Sequence, residues 1–223
     1  MKKAIRFLLS GVLCTAVMAL TLAIVNGKCN LTAAANEAGN LRLIAKDCNV
    51  RVVASNSSQI KYDYDKAKFS ITTSDSGETT NISVQKKFGR SSAGSSNMIS
   101  IYIPDNHYKT IIVDSEKAGI SLPELNVNFN LTSKNGALSI AIPADYNKTI
   151  RLNMINGSGS MSFKQSDKNF RVSVKNDTSA VAIPKNWPAY HANSNYSYSR
   201  GTGAGSFVIS LKNTAFAISD AFK

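Results

Sequence analysis

The sequence has few of the side chains from which most active sites and metal sites are built. Its 223 residues include two histidines, three cysteines and one tryptophan, and only 18% of them are charged. The nucleophile motif G-x-S-x-G and the zinc motif H-E-x-x-H are both absent. The acidic residues are scattered along the chain, and they form no cluster that recurs at a regular spacing. We therefore predict a protein that is not an enzyme, with no catalytic residue, no metal site and no cofactor.

Three cysteines are too few for a disulfide scaffold. Cys14 lies in an apolar N-terminal run, so Cys29 and Cys48 are left as the pair that could form a disulfide in an oxidising compartment. If the chain is cleaved after Ala35, Cys29 is removed and Cys48 remains as a lone thiol. The sequence leaves both the disulfide and the unpaired cysteines open.

The N-terminal residues 1–35 have the pattern of an export signal. Lys2, Lys3 and Arg6 form a basic start, and an uncharged apolar run follows over residues 7–25. We predict that this leader is helical and that it directs the chain across a bacterial-type membrane. The run also reaches the length that spans a bilayer, so the leader is either a signal peptide or a signal anchor.

The fate of the leader decides where the protein is located. Residues 33–35 are alanines, which offer a cleavage site of the A-x-A type. Cleavage there would leave residues 36–223 as one domain that is secreted or lies at the cell surface. Without cleavage, residues 7–25 would anchor the chain in the cytoplasmic membrane.

Positive charge is in excess along the chain. The formal net charge is +12 at pH 7, and Lys86, Lys87 and Arg90 form a small basic cluster beside a Gly/Ser-rich stretch. A basic domain outside a bacterial cell is attracted to polyanions such as teichoic acids, lipopolysaccharide or phospholipid head groups. No recognised nucleic-acid-binding motif accompanies the charge, so we expect no nucleic acid partner. The basic cluster is one candidate contact for an anionic envelope polymer, and a role in solubility alone is the alternative.

From Leu41 onward, apolar and polar residues alternate in almost every stretch. Clear examples are Val50-Arg51-Val52, Ile99-Ser100-Ile101 and Phe170-Arg171-Val172-Ser173-Val174. A period of two places one side of each segment in the core and the other in solvent, which is typical of half-buried β-strands. No convincing helical period occurs outside the leader. The sequence therefore predicts an all-β domain.

A longer repeat lies over the alternation. The last apolar residues of successive strands recur about every twenty residues, and proline follows four of the six directly. These residues are Val84, Ile103, Leu122, Ile142, Phe163 and Ile183, and a companion series comprises Val113, Leu131, Leu152 and Val172. Asn135-Gly136 and Asn156-Gly157 supply residues that tolerate a positive φ at another corner. We predict a single-domain β-solenoid, similar to a β-helix, with these series as interior ladders, and a β-sandwich is the rival fold.

The segment from Trp187 to Arg200 departs from the repeat. Its composition is that of a sugar- or protein-contacting loop, because aromatic rings stack on apolar ligand faces while polar groups hydrogen-bond. The candidate contact residues are Trp187, Tyr190, Tyr196, Tyr198 and Arg200. The alternative is that these aromatic residues cap the open end of the solenoid, which would otherwise expose edge strands.

Several of these motifs together resemble a known family. The strand ends Ile101-Tyr102-Ile103-Pro104 and Ile140-Ala141-Ile142-Pro143, the run from Lys134 to Ile140 and the Gly201-Thr202-Gly203 entry to the last strands are similar to those of the bacterial putative-adhesin family. The resemblance covers residues 41–218 and implies an exported β-solenoid domain with a surface location and a binding role. The chain departs from the family pattern between Trp187 and Arg200.

We therefore expect a non-enzymatic extracytoplasmic protein of the cell envelope that acts as an adhesin-like binding or structural module. Its partner would be an anionic envelope polymer or another surface protein. Two alternatives are an accessory protein of envelope stress or signalling held at the membrane, and an enzyme that acts on polysaccharides along a groove of the solenoid. The enzyme is the weaker alternative, because such sites need clustered acids or bases on one sheet.

Overall fold

The computed structural model describes residues 21–25, 28–34, 39–87, 98–105, 107–164, 169–189, 191 and 194–220. Within these ranges every regular element is a β-strand, so the all-β prediction is confirmed. The strands are β1 (Thr21–Val25), β2 (Lys28–Ala34), β3 (Asn40–Lys46), β4 (Asn49–Ser55), β5 (Gln59–Asp65), β6 (Phe69–Ser76), β7 (Thr79–Lys86), β8 (Met98–Pro104), β9 (Thr110–Glu116), β10 (Gly119–Leu122), β11 (Asn128–Lys134), β12 (Ala137–Ile142), β13 (Thr149–Phe163), β14 (Phe170–Asp177), β15 (Ala180–Ala182), β16 (Tyr196–Arg200) and β17 (Gly205–Asp220).

Little of the predicted leader lies in the described part of the chain. Residues 1–20, 26–27 and 35–38 lie outside it. The last residues of the predicted leader helix, Thr21–Val25, form the strand β1, which pairs antiparallel with β2. Among the residues that the structure describes, none belongs to a helix long and apolar enough to span a bilayer.

Hydrogen bonds join the strands into one network, which we describe as two sheets. The long strands β13 and β17 belong to both sheets, because their first and second halves pair with different neighbours. Sheet I has the order β6-β7-β3-β9-β11-β13-β17-β14-β16. Sheet II has the order β1-β2-β5-β8-β4-β10-β12-β13-β17-β15. Antiparallel pairs lie at both ends of sheet I and at the β1 end of sheet II, and the other neighbouring strands are parallel.

The alternating apolar residues of the two sheets share one core. In sheet I, Val113 lies beside Leu131 and Leu131 beside Leu152, and all three side chains are buried. Phe163 of sheet II and Phe207 of sheet I meet across the interior, with ring centroids 5.1 Å apart. Burial of such side chains is the main stabilising contribution to the fold, at about 25 cal/mol for each Å² of apolar surface removed from water.

Five of the six residues in the predicted proline-marked series lie in or next to sheet II. Ile103, Leu122, Ile142 and Phe163 are buried, and Ile183 is half-buried against the core. Val84 is also buried, but it lies in sheet I beside Ala45. The prediction that Val84 belongs to this series is therefore wrong. The reason is that residues 79–86 form β7, which pairs only within sheet I among the described strands.

The prolines do not set the register between neighbouring strands. Ile142 lies beside Phe163, but Leu122 lies beside Ile140 rather than Ile142. The strand β10 has four residues before Pro123, whereas β12 has six before its own proline. The two prolines are therefore not structurally equivalent, although about twenty residues separate them.

Strand order differs from chain order at both ends of the molecule. The strands β3 and β4 lie between β7–β8 and β9–β10, and the last strand, β17, lies between β13 and β14. Val172 consequently lies beside Phe207, and the neighbour of Leu152 is Ile209. The predicted companion series is therefore wrong at its last member, because a strand from a distant part of the sequence intervenes.

A line of residues with positive φ marks the corner between the two sheets. They are Asp47, Lys117, Asn135, Asn156, Thr178 and Asn213. Asparagine tolerates this conformation better than most residues, and the two asparagines of the Asn-Gly pairs confirm the predicted corner. The glycines serve close packing instead, since a Cβ atom at Gly136 or Gly157 would lie 2.3 Å from the carbonyl oxygen of the neighbouring turn.

Thr178 is the β-branched residue in this line, and such residues are strained in the left-handed region. We expect Thr178→Asn to raise the free energy of unfolding by about 0.5–1 kcal/mol. Asparagine relieves the strain and can keep a hydrogen bond to the Asn213 side chain, which Thr178 makes now. Urea unfolding measures the change. Thr72→Asn, at an exposed position within β6, is the matched control and should not stabilise the chain. A loss of stability in Thr178→Asn would contradict the assignment of strain.

The turns on the proline side each place one large side chain in the core. These buried side chains are Tyr108, Leu125, Tyr146 and Trp187, and each follows a proline by a few residues. The Oη of Tyr146 donates a hydrogen bond of 2.9 Å to the carbonyl oxygen of Val127 in the neighbouring turn. Trp187 is therefore the last member of a series of side chains that closes the remaining side of the core.

Candidate functional site

Trp187 belongs to the core rather than to a contact surface. Its side chain is 5% exposed, and its ring packs against the rings of Phe163, Phe170 and Tyr198. The centroid of the Trp187 ring lies 5.0 Å from that of Tyr198 and 5.2 Å from that of Phe170. A ring enclosed in this way has no free face on which a ligand could stack.

The tyrosines of β16 also point inward. The strand pairs antiparallel with β14, which places Tyr196 and Tyr198 on the same side as the buried valines of β14. Tyr196 is 7% exposed and Tyr198 is half-buried. Arg200, at the end of the strand, is exposed, and Tyr190 lies outside the described residues. The burial of Trp187 and Tyr196 favours the end-cap interpretation of this segment over the ligand-contact interpretation.

The basic cluster predicted from the sequence lies at the end of β7. Lys86 and Lys87 are exposed, and Nζ of Lys87 donates a hydrogen bond of 2.9 Å to the carbonyl oxygen of Lys66. Arg90, the third member, lies outside the described residues. Lys86 also lines a small pocket of 170 Å³ together with Lys117. The two lysines are thus available for contact, and the described residues form no larger site around them.

Cys48 lines the same pocket and is not a reactive thiol. It is free and buried, and burial raises its pKa to about 11. A thiol with so high a pKa is almost fully protonated near neutral pH, so it is a poor nucleophile. The side chain of Cys29 lies outside the described part of the structure, so its pairing with Cys48 stays a prediction. The backbone of Cys29 pairs with Tyr64 in β5.

A further group of cations lies together on the outer face of sheet I. The strands β13, β17 and β14 are neighbours, and their exposed outward residues include Arg151, Arg171 and Lys175. Arg151 lies beside Val208, which is 47% exposed, and Val208 lies beside Ser173. Arg171 and Lys175 flank Ser173 along β14. We call Arg151, Arg171, Ser173, Lys175 and Val208 the basic patch.

The acids on this face of sheet I pair with other cations. The ion pairs are Arg42 with Asp114, Lys46 with Glu116, and Lys212 with Asp177. Within the described ranges, no ion pair joins an acid to Arg151, Arg171 or Lys175. The same ranges contain no group of three or more His, Cys, Asp or Glu side chains that could hold a metal ion. The positive charge of the basic patch is therefore not neutralised by its neighbours in the described structure.

A shallow depression of 240 Å³ adjoins the basic patch. Its lining includes Arg151, Asn130, Asn153 and Ser210, which together offer guanidinium, amide and hydroxyl donors. Adjacent strands are about 4.8 Å apart, so Arg151 lies about 10 Å across the sheet from the cations of β14. Cations at this spacing on a flat surface suit an extended anionic chain better than a compact ligand.

Sequence reasoning missed the basic patch, although part of the signal was present. The alternation from Phe170 to Lys175 already places Arg171 and Lys175 on the same outward side of one strand. The sequence did not show which strand lies beside β14 in the sheet. Arg151 comes close only because β17 pairs with both β13 and β14.

Comparison with solved structures shows a likeness of fold. No protein-family model matches the chain, and no curated protein matches it. The solved structure of a putative cell adhesion protein from Clostridium sporogenes is similar over 91% of this chain and 99% of that chain, with a TM-score of 0.59 and 15% identity. A putative adhesin from Bacteroides fragilis is matched over 88% of this chain and 98% of its own, with a TM-score of 0.26 and 12% identity, which does not indicate a shared fold. The first likeness establishes a shared fold alone.

Proposed function

We propose that this chain is a non-enzymatic, adhesin-like module of the bacterial cell envelope that binds an anionic envelope polymer on its basic patch. The likeness of its fold to that of a putative cell adhesion protein supports the adhesin-like role. The export pattern of residues 1–35 supports a place outside the cytoplasm. Neither argument identifies a ligand, so the ligand class is inferred from the patch itself.

The fold proposed for this module is a β-solenoid. Three observations support it: the central strands pair in parallel, β13 continues from sheet I into sheet II, and the corner residues with positive φ recur from turn to turn. Side-chain hydrogen bonds between the turns on the proline side join residues 19 or 21 positions apart. A solenoid presents broad, flat faces along its length, and such a face fits an extended polymer.

The observation that carries the proposed function is the meeting of Arg151, Arg171 and Lys175 on one exposed face, with no acidic partner among the described residues. Cations bind phosphate and carboxylate oxygens through charge-assisted hydrogen bonds. One exposed contact of this kind is weak, but a polymer with repeated anionic groups engages several at once. Such binding decreases with added salt, because charges are screened over about 8 Å at physiological ionic strength.

The test is a triple charge reversal in the patch, Arg151→Glu with Arg171→Glu and Lys175→Glu. The probe is poly(glycerol phosphate), a polymer of the teichoic acid type, and isothermal titration calorimetry measures its affinity. We expect the affinity to fall about 100-fold, because each reversal removes an attraction of roughly 1 kcal/mol. Wild-type binding should also weaken as the salt concentration rises, and uncharged dextran should not bind.

The matched control reverses the other basic cluster, with Lys86→Glu, Lys87→Glu and Arg90→Glu. Both variants change the net charge equally, so the control separates a local contact from a general effect of charge. We expect the control to keep most of the affinity. Equal losses in both variants would mean that net charge alone attracts the polymer. A loss confined to the control, or a wild-type chain that does not bind, would reject the basic patch as the contact.

A further inference from the structure

The outer face of sheet II is lined by the smallest side chains. In β10, β12, β15 and the second halves of β13 and β17, every outward residue is glycine, alanine or serine. The middle row across these strands runs Ser121, Ser139, Ser160, Ala217 and Ala182. We call the outward residues of these five strands the small-residue face. It carries no charged, aromatic or long side chain.

One border of the small-residue face is raised. The strands β4 and β8 continue the sheet beyond β10 with larger outward residues, among them Asn49, Arg51 and Met98, which is 45% exposed. The step down from this border to the small side chains forms a depression of 370 Å³ that reaches over Ser139 and Ser160. Seven neighbouring strands, in the order β8-β4-β10-β12-β13-β17-β15, thus share one outer surface. The side chains on this surface are large at the β8 end and small at the β15 end.

The chemistry of this surface excludes several kinds of partner. Without aromatic rings the small-residue face offers no stacking platform for sugars. Without cations in the small-residue face it does not attract the anionic polymer proposed above. A partner helix packs its ridges into grooves between side chains, and side chains this small form no deep grooves. Another β-sheet surface fits, because two sheets pack face to face through their side chains.

We propose that a second copy of this chain packs on this surface, with the two sheets II face to face across a twofold axis. The raised border of each copy then lies over β17 and β15 of the other, where the outward residues are alanine. A surface that is high at one end and low at the other is complementary to itself under this rotation. Ser139 lies in the middle strand of the seven and in the middle row, so the axis passes close to it. The inference does not depend on the proposed polymer binding.

Charge also favours this face for self-association. The chain has a formal net charge of +12, so two copies repel each other over most approaches. The outer face of sheet I carries the basic patch and would bring like charges together. The small-residue face brings none together, and Arg51, on the raised border, lies away from the axis. Contact between the two sheets II therefore brings fewer like charges together than contact between two basic patches would.

The area of the surface sets the strength of the contact. Seven strands about 4.8 Å apart, each contributing about five residues, cover roughly 550 Å² per copy and roughly 1,100 Å² in a dimer. Specific, stable interfaces bury about 1,200–2,000 Å². We therefore expect a reversible dimer with a dissociation constant on the order of 10–100 μM rather than a permanent one.

Analytical ultracentrifugation of the full chain, from about 1 μM to about 500 μM, tests the proposal. The wild type should pass from monomer to dimer over this range. Ser139→Arg and Ser139→Asp should each weaken association at least tenfold, because each places like charges opposite each other at the axis. An equimolar mixture of the two variants should associate again, because the introduced guanidinium then faces the introduced carboxylate. Recovery in the mixture cannot arise from misfolded chains.

The matched control is Ser74→Arg, a serine-to-arginine change at an exposed outward position of β6 in sheet I. It should dimerise as the wild type does, and thermal unfolding should confirm that all variants are folded. A wild-type chain that stays monomeric throughout overturns the proposal. So does a dimer that Ser139→Arg leaves unchanged, an equal loss in Ser74→Arg, or a mixture that associates no better than its components.

Discussion

Replacement of Leu131 by aspartate should leave the chain unfolded. Leu131 is 2% exposed and lies between Val113 and Leu152 in the adjacent parallel strands of sheet I. Both of these neighbours are apolar and buried, and burial of an unpaired carboxylate costs several kcal/mol. The lost leucine contacts add about 2–5 kcal/mol, against a total stability of about 5–15 kcal/mol for a domain. Far-UV circular dichroism and urea unfolding measure the result.

The neighbouring residue supplies the control for this change. Asn130→Asp introduces the same carboxylate one residue earlier on β11, where the side chain points outward and is exposed. We expect it to change the free energy of unfolding by less than about 0.5 kcal/mol, as surface substitutions usually do. A Leu131→Asp variant as stable as Asn130→Asp would mean that the inward and outward faces of β11 have been assigned incorrectly.

Trp187→Ala should lower the free energy of unfolding by about 3–5 kcal/mol while leaving polymer binding intact. The indole packs against the rings of Phe163, Phe170 and Tyr198, so its removal leaves a cavity at the end of the core. The basic patch lies on the outer face of sheet I and does not include this ring. Urea unfolding gives the stability, and titration with poly(glycerol phosphate) at a temperature where the variant is folded gives the affinity.

Trp187→Phe distinguishes packing from recognition at the same position. Phenylalanine keeps an aromatic ring in the core and should restore most of the lost stability. If Trp187 acted as a ligand contact, the alanine variant would lose affinity and keep its stability, and the end-cap interpretation would be wrong. The burial of the indole predicts the opposite pattern.

The features that the sequence predicts well are those determined by local chemistry. The alternation around Leu131 indicates a half-buried strand, because the side chains of a strand alternate between its two faces. Asn135 and Asn156 indicate a corner, because asparagine is one of the few residues that tolerate a positive φ. In the centre of the molecule, neighbouring strands are also neighbours in the sequence. There the spacing predicts correctly that Val113, Leu131 and Leu152 lie side by side.

The features that the sequence did not predict depend on pairing between distant segments. Val172 has the pattern and the spacing of a neighbour of Leu152, yet β17 lies between their strands. Alternation is the same whichever strand lies alongside, so the pattern cannot select the partner. The basic patch was missed for the same reason, because its cations come from strands that are joined only through β17. Trp187 was left between two interpretations because exposure in a turn is decided by the packing around it.

The position of β17 also bears on the order in which the chain can fold. Synthesis on the ribosome proceeds from the N-terminus, so residues 205–220 become available only after β13, β14 and β15. Until then, β13 has an open edge, and β14 and β15 have no strand through which to join the rest of the molecule. The stack therefore cannot be completed turn by turn as the chain emerges. The strands from β3 to β13 can pair without β17, whereas β14 and β15 join them only once residues 205–220 are in place.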